Sequence, residues 1–170
     1  MDDLPAFITV ETGEHDGLPL SIAWTLTDGS VKHTLIQPDS DWLEDELISL
    51  GAYSLEELTT LGISPLDVIQ ELELDHFNAT LYTAGVADDE AALSQLFDTY
   101  GLDPFIELAP AESLYPDLPA GEWAQARREM FAELGLEPLR PEDEIQVMLA
   151  LHQRMALGDA EWINPDPSAD

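Results

Sequence analysis

The chain reads as an α/β protein with a mixed β-sheet flanked by helices. Three short runs rich in β-forming residues, Phe7 to Val10, Leu20 to Leu26 and Val31 to Ile36, follow one another at the start. β-Branched and aromatic side chains suit a pleated, half-buried backbone. Two further short apolar runs, near 78–82 and 105–108, lie between stretches whose apolar residues recur at helical spacing. Strands interleaved with helices in a chain of 170 residues describe one α/β domain with enough material for a core.

The first run ends at Thr12-Gly13, and Glu11 stands close to that end, where a carboxylate can reach a cleft. The second run follows a loop containing Gly17 and Pro19. Asp28-Gly29 joins the second run to the third, and Asp-Gly between apolar runs predicts a hairpin, because Gly accepts positive φ at low cost. The start is therefore expected to be a three-stranded antiparallel meander. Pro38 to Trp42 is read as a loop that opens a short helical patch of Trp42, Leu43, Leu47 and Leu50. Ser54 with Glu57 makes a capping box for a helix ending near Gly62. Ser64 followed by Pro65 starts the next, with Val68, Ile69 and Leu72 inside.

Asn78 to Tyr82 is the expected fourth strand. Asp88 or Asp89 opens a helix with Ala92, Leu93, Leu96 and Phe97 as its apolar stripe, stopped by Gly101. Phe105, Ile106 and Leu108 suggest a fifth strand, and Pro110 to Pro119 a loop or irregular helix. Glu122 to Leu134 and a last helix from Pro141 to about Asp159 or Trp162 complete the pattern. No repeat or linker divides the chain, so 1–163 is read as one domain and 164–170 as a frayed acidic tail.

Charge is the unusual feature: 36 Asp and Glu stand against 5 Lys and Arg, for a net of −31. Adaptation to high salt, an acidic surface that mimics nucleic acid or docks on a basic partner, and a cation site all fit such a balance. The acids are spread along the chain, so most are solvated. Lys32, Arg127, Arg128 and Arg140 make no basic stripe, and a nucleic-acid partner is not expected at low salt. No apolar run is long enough to cross a membrane, and Met1-Asp2-Asp3 opens no signal-peptide pattern. Without cysteine there is no disulfide and no thiolate metal site. A cytoplasmic location is expected.

Together these stretches resemble the DEDD family of 3′–5′ exonucleases, of the ribonuclease H-like fold, in the subtype whose general base is His. Phe7-Ile8-Thr9-Val10-Glu11-Thr12-Gly13 is similar to the family's first strand, which carries Asp-x-Glu, and Pro19 to Trp24 to its second. Leu50 to Gly62 resembles the stretch after the third strand. Leu81 to Gly85, followed by Asp89 and Leu96-Phe97, resembles the second motif, a strand whose end carries an Asp. Arg154-Met155-Ala156-Leu157-Gly158-Asp159-Ala160 resembles the third, His-x-Ala-x-x-Asp-Ala. The resemblance implies a mixed sheet with strands one and four side by side.

It also implies four carboxylates holding two divalent metals, and a base that takes a proton from water. At the matching positions Thr9 replaces the first Asp, Ala84 the second-motif Asp, and Arg154 the base. Glu11 and Asp159 remain, enough for one loosely held Mg²⁺ or Mn²⁺ but not for a pair. Arg stays protonated and cannot act as a base. The expectation is a catalytically eroded relative that acts by binding, with a protein as the expected partner and Arg154 lying between Glu11 and Asp159 where metal would otherwise sit. No resident cofactor is expected. An active exonuclease with relocated ligands and an acidic nucleic-acid mimic are the alternatives.

Other candidates are weaker. His152 lies two residues before Arg154, on another side of a helix. Asp88 and Asp89 suit capping better than metal binding. His15, between Glu14 and Asp16, fits a polar loop, His33 and His76 have no evident partners, and Trp24 and Trp42 read as anchors of packing.

Overall fold

The computed structural model describes residues 5–12, 18–26, 28–40, 42, 53–84, 89–138 and 140–157. Its sheet has five strands: β1 (Ala6–Thr12), β2 (Pro19–Thr25), β3 (Val31–Leu35), β4 (Thr80–Thr83) and β5 (Glu107–Pro110). They lie in the order β3-β2-β1-β4-β5. β1, β2 and β3 form the antiparallel meander, and β4 runs parallel to both β1 and β5. This is a mixed α/β sheet of ribonuclease H-like order, with strands one and four adjacent as expected. The helices are α1 (Leu55–Leu61), α2 (Pro65–His76), α3 (Asp89–Thr99), α4 (Glu122–Leu134) and α5 (Pro141–Leu157), with a short 3₁₀ turn at Ala111–Leu114.

The strands' alternation sorts the core into two layers. Ile8, Val10, Ile22 and Trp24 face α2 and α3, packing on Val68, Ile69, Leu72, Leu96 and Phe97. Phe7 and Ala23 face the other way, onto Trp123, Met130 and Phe131 of α4 and Ile145, Met148 and Leu151 of α5. Glu11, four residues after Phe7, continues that second face to the end of β1.

Local chemistry sets the boundaries. Ser54 and Glu57 form the predicted capping box, and Ser64 Oγ accepts from the Asp67 amide. Gly135 ends α4 in the left-handed region at φ 69°. Gly62 permits a close approach: a Cβ there would lie 2.5 Å from the Leu58 carbonyl oxygen and 2.9 Å from both Gln37 N and Leu35 O. That closeness lets Ile63 bridge to Ile36 and fastens α1 to the end of the meander.

Two strands are displaced from their expected limits. Asn78 adopts φ 61°, which no strand accommodates, so β4 starts at Thr80. The Phe105 carbonyl accepts from Asn78 N–H at this crossing, and β5 starts at Glu107. The helical patch expected over 43–50 and the end of the last helix beyond Leu157, with the tail, lie outside the described residues. No described helix is long and apolar enough to cross a membrane.

Candidate functional site

Glu11 ends on a pocket of about 370 Å³ that also exposes His33, Tyr53, Arg140, Glu142 and Asp143. Five parts of the chain build it: the end of β1, the middle of β3, the approach to α1, the α4–α5 connection and the start of α5. Helix α5 runs antiparallel to β1. Its first turn therefore meets Glu11, while His152, near its other end, sits against Phe7 with ring centroids 6.1 Å apart.

The Glu11 carboxylate is already engaged. Its Oε1 accepts from Ser21 Oγ at 2.8 Å and from Tyr53 Oη at 2.7 Å. Burial and the bond to Glu11 push the Tyr53 phenol up to about 12, so it is a donor at neutral pH. Asp143 Oδ2 accepts from the Glu137 amide at 3.0 Å. His33 Nδ1 lies 3.9 Å from Glu142 Oε2, bridging the β3 edge to the helix start.

Asp89 stands at the opening of α3 and is 4% exposed. β4 pairs with β1 only at Ala6 and Phe7, which leaves the Val10 amide beyond the reach of that strand. Asp89 Oδ1 accepts it at 2.9 Å. The carboxylate thus completes the open side of β1. Asp89→Ala is expected to lose about 1–3 kcal/mol of stability, the cost of an unsatisfied buried donor. Asp89→Asn, which retains an acceptor, should lose less; urea unfolding of both variants checks this.

The other expected site residues are dispersed. Thr9, 7% exposed, lies on the same face of β1 as Glu11. Ala84 packs into the apolar layer beneath α4 and α5. Arg154 is thirteen residues along α5 from Pro141, about 20 Å at 1.5 Å per residue. Its Nη2 lies 3.8 Å from Glu133 Oε2 on α4. The structure therefore does not place Arg154 beside Glu11, and corrects the expected bridge: the antiparallel run of α5 carries Arg154 to the opposite end of the sheet. Asp159 and Asp88 lie outside the described residues, as do Glu14, His15 and Asp16.

His152 belongs to a different cavity of about 650 Å³, which it shares with Tyr115, Arg154 and Met155. Tyr115 Oη is 2.7 Å from His152 Nδ1. Burial lowers the imidazole pKa from its usual 6.5 and raises that of the Tyr115 phenol. A histidine depressed in the folded state takes up its proton more readily when unfolded, so its contribution to stability falls as pH drops through 6.5 toward the folded value. His152→Gln should flatten that part of the stability–pH curve relative to the parent, measured by urea midpoints on both sides of 6.5. His76 is likewise structural, its Nε2 2.7 Å from the Thr25 carbonyl.

Tyr53, Glu142 and Asp143 were not singled out by sequence reasoning. The available signal was the acid-rich first turn of the last helix, whose meeting with β1 depends on the direction in which that helix crosses the sheet.

One oxygen each of Glu11, Asp89 and Asp143 is committed to a protein donor. Among the described residues no group of three His, Asp or Glu side chains is placed to hold a metal ion.

No family model matches the chain, and no curated protein matches it. Among solved structures it is similar to the Mopeia virus exonuclease domain partially complexed with manganese, at 16% identity and a TM-score of 0.43. The match covers 78% of this chain and 61% of that one.

Proposed function

We propose that this ribonuclease H-like domain is a catalytically eroded relative of 3′–5′ exonucleases that works by binding rather than by hydrolysis. The observation that carries the proposal is the state of Glu11. Its carboxylate is held by Ser21 and Tyr53 hydroxyls, and the residues at three of the four other motif positions supply a hydroxyl at Thr9, a methyl at Ala84 and a cation at Arg154 that faces Glu133, Asp159 being the fourth. None of these three can ligate a hard cation as a carboxylate does, and Arg cannot take a proton from water.

The partner this reading favours is a protein. A net charge of −31 opposes a phosphate backbone. Of the five cationic side chains, Lys32, Arg127, Arg140 and Arg154 each lie within 4.0 Å of a carboxylate. The test is incubation of 3′-labelled single-stranded DNA and RNA with Mn²⁺ in molar salt. The expected result is no shortening beyond that seen with Glu11→Gln. Shortening that Glu11→Gln abolishes would overturn the proposal.

One observation favours a second reading, an active enzyme with relocated ligands. Glu142 and Asp143 open onto the same pocket as Glu11. Under that reading Glu142→Gln and Asp143→Asn each abolish Mn²⁺-dependent shortening; under the first there is none to abolish.

A further inference from the structure

We propose that the outer edge of β5 and the groove beside it form a docking surface for an extended peptide of another protein, one that alternates apolar and basic residues. Among the described residues the sheet ends on β5, whose inner side is paired with β4. The Glu107 amide donates to Ala79 and the Phe105 carbonyl accepts from Asn78, so odd-numbered residues of this stretch face β4. By the alternation of a parallel ladder, Ile106 and Leu108 direct their amides and carbonyls outward. An incoming strand can pair with these groups, as in β-strand addition.

Beside that edge lies a groove of about 300 Å³ between β5 and α3, floored by Leu93, Phe97, Ile106 and Leu108, with the exposed Glu90 at its lip. It is apolar at the bottom and acidic at the lip. Alternate side chains of an added strand point to opposite faces, so one set enters the groove. The other set faces away from α3, on the side of the strand to which Glu107 belongs, where a Lys or Arg meets its carboxylate. At one end the groove runs on through Phe105, whose ring centroid is 5.2 Å from Phe97 and 5.9 Å from Phe77. Phe77 is 58% exposed, an aromatic anchor point without cover from the described residues.

Charge selects the occupant. A second copy would bring another net −31 against an acidic lip, and the chain has only 5 Lys and Arg of its own. A cationic segment from a different protein supplies both the sign and the strand. The surface lies on the α3 face of the sheet, away from Glu11 on the α5 face, and so stands whether or not the Glu11 pocket hydrolyses anything.

The probe is a fluorescein-labelled peptide of five Lys-Val repeats, with five Lys-Gly repeats as the control of equal charge. Anisotropy is read at the lowest salt at which circular dichroism shows the full chain folded. The Lys-Val peptide should bind at least tenfold more tightly than Lys-Gly, and Glu90→Gln/Glu107→Gln, both surface changes, should weaken it at least tenfold. In hydrogen exchange, the Ile106 and Leu108 amides should gain at least tenfold protection on binding. Equal affinity for the two peptides would reduce the effect to general charge attraction and overturn the proposal. So would unchanged affinity in the double variant, absence of binding, or concentration-dependent protection of the same amides without any peptide, which would mark a second copy as occupant.

Discussion

Arg127→Ala is expected to lose about 3–5 kcal/mol of folding stability, the cost of breaking a buried ion pair on one side. Arg127 on α4 and Glu144 on α5 are 8% and 1% exposed. Arg127 Nε donates to Glu144 Oε1 at 3.2 Å, and Nη2 donates to Oε2 in a two-point fork. The guanidinium also lies 4.8 Å from the Phe131 ring centroid. Alanine removes the fork and the stem together and leaves the Glu144 carboxylate, 1% exposed, without this cation. Arg127→Lys is expected to recover little, since an ammonium cannot match both oxygens in one plane. The paired change Arg127→Met/Glu144→Leu should recover most of the loss, because similarly sized apolar side chains remove both desolvation costs at once. Equilibrium denaturant unfolding of the four proteins in molar salt gives the comparison.

Trp24→Ala is expected to lose a similar amount, about 3–5 kcal/mol, through the cavity it opens in the layer beneath α2. Trp24 is 1% exposed and is the largest fully buried side chain among the described residues. It also organises a polar cluster at the rim of that layer. Its indole N–H donates to Asp75 Oδ2 at 2.8 Å, Lys32 Nζ donates to the same oxygen at 2.9 Å, and Nζ sits 5.6 Å from the Trp24 ring centroid. Burial pushes the Asp75 carboxyl upward, but the Lys32 and Trp24 hydrogen bonds outweigh it and leave the pKa below 3.8. A depressed carboxyl stabilises the fold above its unfolded pKa and loses that contribution as pH falls through its folded value. Trp24→Phe, which keeps most of the ring but not the donor, should lose less than Trp24→Ala and soften this acid-side dependence. The check is unfolding of the three proteins at neutral pH and again below pH 3.8.

These two cases mark what was legible beforehand. The meander, the capping box at Ser54 and the stripe of α3 depend on neighbours in sequence, and each is found where its residues placed it. Trp24 was readable as a core anchor because it sits in an apolar run. Arg127 was not readable as a core residue, because the chain near it gives no sign of Glu144, seventeen residues away on another helix. The candidate site was legible only at Glu11, whose place at a strand end is a local property. The expected partnership with Arg154 required the far end of α5 to lie beside Glu11. The helix instead lays its first turn there, and Arg140, Glu142 and Asp143 take that place. Helix direction over a sheet is set by packing between distant residues such as Phe7 and His152, which no short motif encodes. Asp89 shows the same limit. Its position at a helix start was visible, but its bond to Val10, seventy-nine residues away, depends on where β4 stops.

The proposal that this chain binds rather than hydrolyses requires that the Glu11 pocket hold no metal pair. Anomalous scattering at the manganese edge from crystals soaked in Mn²⁺, read at Glu11, tests it most directly. The expected result is no manganese there, or a single weakly occupied ion that keeps most of its water. Two strong peaks about 3.5–4 Å apart, bridged by Glu11, would contradict it.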